Sequence, residues 1–239
     1  AQTFRAFEER TGFPILERYG MTEAGVITSN PVDGERVPGM VGTPLPGVSL
    51  RIADQSRDRK GAGNTGDVQT GGQVGEVEIQ GENVFAGYWR NPDETAALFT
   101  ADGFFKTGDL GRWEPNGHLS IVGRSKDLVI TGGLNVYPKE IEMALDQLDG
   151  VAEAAVIGVP HPDFGEAVVA VVVRKEGCQL TEGSLLAQLK EALANYKVPK
   201  RIFFADALPR NVMGKVQKNR LREQPEYFAI FSSDRSSNP

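Results

Sequence analysis

The sequence predicts a mixed α+β protein built in two parts, and three observations support this. The chain has 239 residues, long enough to bury a sizeable core as one large domain or two small ones. Its first half is rich in glycine and contains short segments of partly alternating polarity, which are typical of strands. Its second half alternates apolar strands with helical periodicity, as in a compact α+β domain. The boundary between the parts is predicted near Gly123–Asp127.

Short strands separated by proline and glycine turns are predicted in the first half. They are Ile15–Arg18, Val48–Ala53, Val74–Gln80 and His118–Val122. The segment Asp54–Gln73 is polar, rich in glycine and without periodicity, which predicts a long exposed loop. It contains a G-x-G-x-x-G pattern at 61–66, but charged loop residues flank the pattern instead of a strand and a helix. A dinucleotide site is therefore not indicated.

The second half has clearer signals. A helix is predicted over Pro138–Leu148, because proline suits the first helical position and Gly150 can end the helix. Thr181 is expected to cap a second helix. The remaining predicted elements are strands Val151–Val159, Ala167–Val173 and Arg201–Phe204, and a short basic helix Lys215–Arg222.

Composition excludes several classes of function. The chain has 26 basic and 32 acidic residues and a net charge of −6, which argues against a nucleic-acid partner. One cysteine precludes an intrachain disulfide, and with two histidines it cannot form the usual zinc site. No apolar run approaches 18 residues, so no membrane-spanning helix is predicted.

Four motifs occur in a characteristic order and carry the functional inference. They are Tyr19–Glu23 (YGMTE), Lys106–Asp109 (KTGD), Gly123–Asp127 (GRSKD) with the following Thr131–Gly133, and Pro209–Val216 (PRNVMGKV). Together they resemble the C-terminal portion of the AMP-binding superfamily of adenylate-forming enzymes, from about Arg10 to Arg222. Within that superfamily, stretches such as NVFAGYWRNP and DLVITGGLNVYPKEIE resemble the malonyl-CoA synthetases among the acyl-CoA synthetases.

The resemblance implies a fold and a two-step reaction. Residues 1–125 would be the last part of a truncated AMP-binding domain with a distorted β-barrel subdomain. Residues 126–225 would be a mobile C-terminal α+β domain, and 226–239 an exposed extension. A carboxylate would attack the α-phosphate of ATP, with Mg²⁺ bound, and the thiol of coenzyme A would then displace AMP. The ligase would join malonate to coenzyme A in fatty acid metabolism.

The first motif is expected to bind the nucleotide and its metal. Tyr19 would flank the adenine, and Gly20 would belong to the same nucleotide-binding segment. Thr22 would be catalytic, because its hydroxyl can donate to the α-phosphate and to the substrate carboxylate. Glu23 would hold Mg²⁺, whose preferred ligands are oxygens. The alternative for Glu23 is an exposed loop carboxylate.

Two further residues are expected at the nucleotide. The two carboxylate oxygens of Asp109 match the vicinal hydroxyls of ribose, and the donor fork of Arg124 suits ribose or phosphate. The alternatives are a turn-stabilising aspartate and a surface cation.

The resemblance also assigns roles in the second half. Lys126 would be the hinge between two domain poses. Gly132 or Gly133 would line the tunnel for coenzyme A, and a simple loop glycine is the alternative. Lys215 would be the catalytic lysine of the first step, and a lysine at a helix start is the alternative. A lysine acetyltransferase and deacetylase acting on Lys215 are predicted partners, because acetylation removes the charge.

Other functions remain open at this point. The phosphate loop of the superfamily is absent from this sequence and is expected upstream, so we expect the chain to be a fragment that is inactive alone. Alternatives are another short-chain or dicarboxylate CoA synthetase, a domain that loads a carrier protein, and an inactive interaction fragment. The expected location is the cytoplasm, or an organelle matrix if a transit peptide precedes the chain.

Overall fold

A computed structural model describes residues 2–53, 72–228 and 230–231. Contacts divide the chain between Ser125 and Lys126 into two units, here called the first and second unit. Helices and sheets occur in the described residues of each, so the predicted mixed α+β class is confirmed. Most of the predicted loop Asp54–Gln73 lies outside the described residues. No helix among the described residues is long and apolar enough to cross a membrane.

The described residues of the first unit form two antiparallel sheets and two helices. One sheet joins β1 (Arg18–Met21), β2 (Gly25–Ser29) and β3 (Thr43–Pro44), and the other joins β4 (Ser49–Ala53), β5 (Gly75–Gln80), β6 (Phe105–Trp113) and β7 (Leu119–Arg124) in that order. The helices are α1 (Gln2–Thr11) and α2 (Pro92–Leu98). Both sheets contribute to one apolar core, which includes Ile27, Val77, Ile79, Phe105 and Leu119.

Two sequence predictions in this unit need correction. The strand predicted over Ile15–Arg18 is wrong, since β1 begins at Arg18 and continues through the YGM motif. The KTGD motif, for whose Asp109 a turn-stabilising role was the alternative, lies inside β6. Lys106 pairs with Glu78 and Leu110 pairs with Glu76, so residues 107–109 of β6 all lie opposite the single residue Val77. This bulge allows residues typical of a turn to occur within a strand.

The second unit is a five-stranded sheet covered on both faces. Its strands are β8 (Val129–Thr131), β9 (Leu134–Val136), β10 (Val151–His161), β11 (Gly165–Arg174) and β12 (Arg201–Ala205), and its helices are α3 (Pro138–Leu145), α4 (Glu182–Ala192), α5 (Lys218–Arg222) and α6 (Pro225–Phe228). Alternate residues of β11 join two different cores: Val168 packs with Leu145 and Leu189, and Val169 packs with Leu221. Burial on both faces explains the unbroken apolar runs in the sequence.

The predicted helix ends are partly confirmed. Pro138 occupies the first turn of α3, although the helix ends at Leu145 and not at Leu148. Thr181 caps α4, and its hydroxyl accepts a hydrogen bond from the Ser184 amide at 3.2 Å. The basic helix predicted from Lys215 begins only at Lys218, because residues 210–216 form a turn that closes on itself.

The end of the described chain also differs from expectation. Residues 225–228 form α6 where an exposed extension was predicted from 226. The physical reason is Tyr227, which is 3% exposed and lies 4.7 Å from Phe203 between ring centroids. Residues 229 and 232–239 lie outside the described part.

Candidate nucleotide site

A buried carboxylate network lies at the bulge of β6. Asp109 is 5% exposed, and its Oδ2 accepts a hydrogen bond of 2.8 Å from the Tyr19 hydroxyl. Its Oδ1 lies 3.1 Å from Nε of Arg124, the residue directly across on β7. Thr107 fixes the bulge: its hydroxyl donates to the Val77 carbonyl at 2.8 Å and accepts from the Asp109 amide at 3.1 Å. The structure therefore brings three of the predicted site residues into direct contact.

Tyr19 takes part through its hydroxyl, while its ring belongs to the core of the first unit. Burial, together with the adjacent Asp109 carboxylate, raises the pKa of the Tyr19 phenol well above its usual value. The hydroxyl thus keeps its proton and donates a hydrogen bond to Asp109. A residue only 9% exposed offers little surface for an adenine ring, so the predicted contact with adenine gains no support from this geometry.

The network retains capacity for a ligand. An ionised carboxylate has about four lone-pair sites, and the two contacts described occupy one on each oxygen. The Arg124 side chain is 53% exposed and contacts Asp109 through Nε, so its terminal donors remain available to an anion. A partly satisfied acceptor beside an exposed cation suits a sugar diol next to a phosphate.

The turn between β1 and β2 carries the remaining residues of the first motif. Gly20 is required there, because a Cβ would lie 2.3 Å from the Gly25 carbonyl oxygen. Thr22 is exposed at the turn. Glu23 is half-buried, and its Oε1 accepts a hydrogen bond of 2.8 Å from the Tyr88 hydroxyl. Tyr88 lies in the stretch NVFAGYWRNP, but the sequence analysis assigned it no role because it acts through Glu23.

The turn is also fixed from the segment that carries Tyr88. The Phe85 amide donates to the Glu23 carbonyl at 2.8 Å, and the Asn83 side chain donates to the Ala24 carbonyl at 2.8 Å. Residues 83–88 thus act as a support for the YGMTE motif. This explains why a segment without catalytic side chains belongs to the pattern that the sequence analysis singled out.

A metal at this turn would depend on ligands beyond the described residues. Within the described ranges, no group of three or more histidine, cysteine, aspartate or glutamate residues could hold a metal ion. The second oxygen of Glu23 makes no hydrogen bond to any described residue. Magnesium commonly binds through one or two carboxylates and completes its shell with phosphates and water, so a single Glu23 oxygen fits that ion.

The other candidate residues belong to the second unit. Lys126 is exposed in a single 3-10 turn, and the next residue, Asp127, is held by Arg222 at 2.9 Å. Gly132 and Gly133 are the two turn residues of the β8–β9 hairpin, with φ of +56° and +81°. Two consecutive positive φ values favour glycine in such hairpins. The hinge and tunnel roles stay predictions.

Lys215 lies on an exposed turn before α5. Arg210 and Val216 pair across the base of this turn as an isolated antiparallel bridge. The Lys215 ammonium has no hydrogen-bond or ion-pair partner among residues 126–228. By contrast, Lys218, three residues further on, pairs with the buried Glu142 at 2.6 Å. Of the two lysines, Lys215 is the one free to contact a ligand.

The fold and the matched sequence families define a class of nucleotide-dependent enzymes. Residues 1–89 match the family described as AMP-binding enzyme, and residues 140–215 match the AMP-binding enzyme C-terminal domain. The chain belongs to the AMP-binding superfamily, and the resemblance inferred from its motifs is confirmed.

Relatives include malonate ligases and ligases of other acids. The chain is 42% identical to the mitochondrial malonate–CoA ligase of Mus musculus, covering 96% of this chain and 40% of that protein. It is 44% identical to the sulfoacetate–CoA ligase of Cupriavidus necator, covering 91% of this chain and 41% of that protein. The crystal structure of ATP-bound MatB from Rhodopseudomonas palustris matches with a TM-score of 0.86 and 53% identity. The match covers 96% of this chain and 44% of MatB. The chain thus spans about two fifths of the length of these relatives.

Proposed function

We propose that this chain is the C-terminal part of an ATP-dependent acid–CoA ligase that works through an acyl-AMP intermediate. The observation that carries the proposal is the Tyr19–Asp109–Arg124 network, which offers a carboxylate acceptor and a cation side by side. Such a pair suits the ribose and phosphate of AMP. The identity with ATP-bound MatB supports the same assignment.

In the first step, a carboxylate oxygen of the acid attacks the α-phosphorus of ATP. The bond between the α-phosphorus and its bridging oxygen breaks, and pyrophosphate leaves with that oxygen. Thr22 donates a hydrogen bond to the α-phosphate, and Lys215 offsets the negative charge of the carboxylate and the departing phosphates. Asp109 holds the ribose, so that the phosphorus is presented in line with the attacking oxygen.

Bound Mg²⁺ would neutralise phosphate charge in this step. Glu23 is the residue that would hold the ion, and Tyr88 fixes the orientation of its carboxylate. A fixed ligand loses less conformational entropy on binding than a free one.

In the second step, the thiol sulfur of coenzyme A attacks the acyl carbon. The bond between that carbon and the AMP oxygen breaks, AMP leaves, and the thiol proton passes to water. The open space beside Gly133, where an added Cβ would touch nothing within 4 Å, is compatible with a thiol arm passing close to the backbone.

The acid is proposed to be malonate. The malonate–CoA ligase of Mus musculus supports it at 42% identity. Sulfoacetate is a second candidate, because its ligase is 44% identical over a similar range. Both acids are small carboxylates with a second anionic group on the neighbouring carbon, so the proposed substrate class is the same.

The test uses a hybrid enzyme in which this chain replaces the matching part of the malonate–CoA ligase of Mus musculus. We expect malonate-dependent exchange of pyrophosphate into ATP, and at least roughly 100-fold less of it in Lys215→Ala, the usual loss for one preorganised charge. Transfer to coenzyme A from supplied malonyl-AMP should be nearly unchanged. Lys190→Ala is the matched control, since Lys190 is an exposed lysine on α4.

Two results would contradict the proposal. A hybrid that exchanges no pyrophosphate with malonate or sulfoacetate, although it folds, would refute the ligase assignment for this chain. Equal losses in both half-reactions of Lys215→Ala would refute the role of Lys215 in the first step.

A further inference from the structure

The turn that carries Lys215 is organised by one side chain, that of Asn211. The turn comprises Arg210–Val216 and is called the lysine loop below. Oδ1 of Asn211 accepts hydrogen bonds from the Met213 amide at 3.0 Å and from the Lys215 amide at 2.9 Å. The side chain thus replaces the backbone acceptor that these two amides would have in a regular element.

The backbone of Asn211 adds a second pair of contacts. Its amide donates to the Lys215 carbonyl at 2.9 Å, and its carbonyl accepts from the Gly214 amide at 2.9 Å. Both the amide and the carbonyl of Lys215 are therefore bound to the same residue. The backbone of Lys215 is fixed, while its ammonium is left without a partner among residues 126–228.

The lysine loop is also attached to the sheet. The guanidinium of Arg210 donates to the Gly214 carbonyl at 2.6 Å and pairs with the Glu153 carboxylate on β10. The tip of the loop has no such support, since Val212 is fully exposed and Met213 is 75% exposed. Rigidity is thus concentrated at the two residues that flank the tip, Asn211 and Lys215.

We propose that Asn211 is a positioning residue for Lys215, which it holds in place for the adenylation step. The proposal rests on the proposed function for the catalytic part, but the positioning itself is a property of the chain. A lysine side chain has four rotatable bonds, so a mobile backbone would spread its ammonium over many positions. Anchoring the backbone reduces the number of positions that the ammonium can occupy, so only the side-chain torsions remain to be ordered by the ligand.

The first experiment measures positioning without any catalysis. Amide hydrogen exchange of the 239-residue chain is followed by NMR in Asn211→Ala, Asn211→Asp and Asn195→Ala. Loss of one hydrogen bond should accelerate exchange at Met213 and Lys215 about fivefold in Asn211→Ala. Asn211→Asp keeps an acceptor oxygen and should stay within about twofold of the parent chain. Asn195→Ala is the control, because Asn195 is an exposed asparagine outside the loop.

The melting temperature separates a local effect from a global one. We expect it to be unchanged in Asn211→Ala, since Asn211 belongs to neither core and Val216, which packs against the Leu221 core, is not altered. Unchanged exchange at Met213 and Lys215 would overturn the proposal. So would exchange that rises equally throughout the second unit, because that result would indicate a general loss of stability.

The second experiment measures the catalytic consequence in the hybrid enzyme described above. Asn211→Ala should lower kcat for pyrophosphate exchange about tenfold, with an unchanged KM for ATP and unchanged transfer from malonyl-AMP. Asn211→Asp should restore most of the rate. An unaltered kcat, or a loss as large in Asn211→Asp as in Asn211→Ala, would overturn the catalytic part. A parent hybrid without ligase activity refutes the proposed function, while the exchange measurement still decides whether Asn211 positions Lys215.

Discussion

Replacing Tyr19 by phenylalanine should destabilise the first unit through Asp109. The substitution keeps the ring that packs with Ile27 and Val77 and removes only the hydroxyl that donates to Asp109 at 2.8 Å. Asp109 is 5% exposed, so water cannot easily replace the lost donor. Arg124 then remains as the single charged partner of a buried carboxylate. An unsatisfied buried acceptor costs more than the loss of an exposed hydrogen bond.

The expected magnitude follows from the charge on the acceptor. Hydrogen bonds to charged groups contribute about 1.5–3 kcal/mol, which corresponds to roughly a 10- to 150-fold change in the unfolding equilibrium. In urea the midpoint should fall by about 1 M, given a slope of about 2 kcal/mol per M for a unit of this size. Both tryptophans of the chain, Trp89 and Trp113, lie in the first unit, so their fluorescence reports its unfolding alone.

A matched variant separates the Asp109 contact from the general effect of removing a phenol. Tyr196→Phe alters an exposed tyrosine of the second unit and should leave the tryptophan transition unchanged. If Tyr19→Phe shifts that transition by less than about 0.5 kcal/mol, the typical range for unconnected surface changes, the hydroxyl does not stabilise Asp109. The Tyr19–Asp109 contact would then play no part in holding the site together.

Two further predictions concern stability. Gly42→Ala should cost roughly 3 kcal/mol or more, because its Cβ would lie 1.9 Å from the Ser29 carbonyl oxygen and its φ is +78°; Gly39→Ala, with a similar φ and open space, should cost only about 1–2 kcal/mol in the same tryptophan assay. Burial raises the pKa of Tyr227 from 10.0 to about 12, so the stabilisation from its retained proton is complete below pH 10 and is lost as the pH rises towards 12. In urea unfolding followed by circular dichroism, the parent chain should therefore lose more stability over that interval than Tyr227→Phe, and identical losses would show that the phenol is not protected.

The elements that the sequence predicted well are those decided by local rules. The cap at Thr181 and the proline at the start of α3 are local signals, and both appear in the structure. The strands β10 and β11 were recognisable because burial on both faces imposes unbroken apolar runs. Their register and the parallel pairing of β12 with β11 could not be predicted, since these depend on contacts between distant segments.

The candidate site, like the fold, was predictable only in part. Its residues were found through the order of the motifs, which identifies the family but does not give the distances between the residues. The contact between Tyr19 and Asp109 joins residues 90 positions apart, and no local pattern encodes it. The bulge that contains Asp109 could not be predicted for another reason. A threonine, a glycine and an aspartate in succession favour a turn. The segment is a strand only because it pairs with β5 and β7. Tyr88 and Asn211 were missed because they act on other residues of the site.

The role proposed for Asp109 would make one carboxylate structural and ligand-binding at once. A buried charge without partners would be strongly destabilising, so the fold requires the phenol of Tyr19 and the guanidinium of Arg124 before any ligand binds. These partners occupy only one site on each oxygen, and under the proposed function the remaining acceptor capacity would serve a ligand. If Asp109 serves as proposed, a sugar diol would add hydrogen bonds to a carboxylate whose desolvation has already been compensated. Binding would then require little reorganisation of the protein, which is the condition under which positioning contributes most to catalysis.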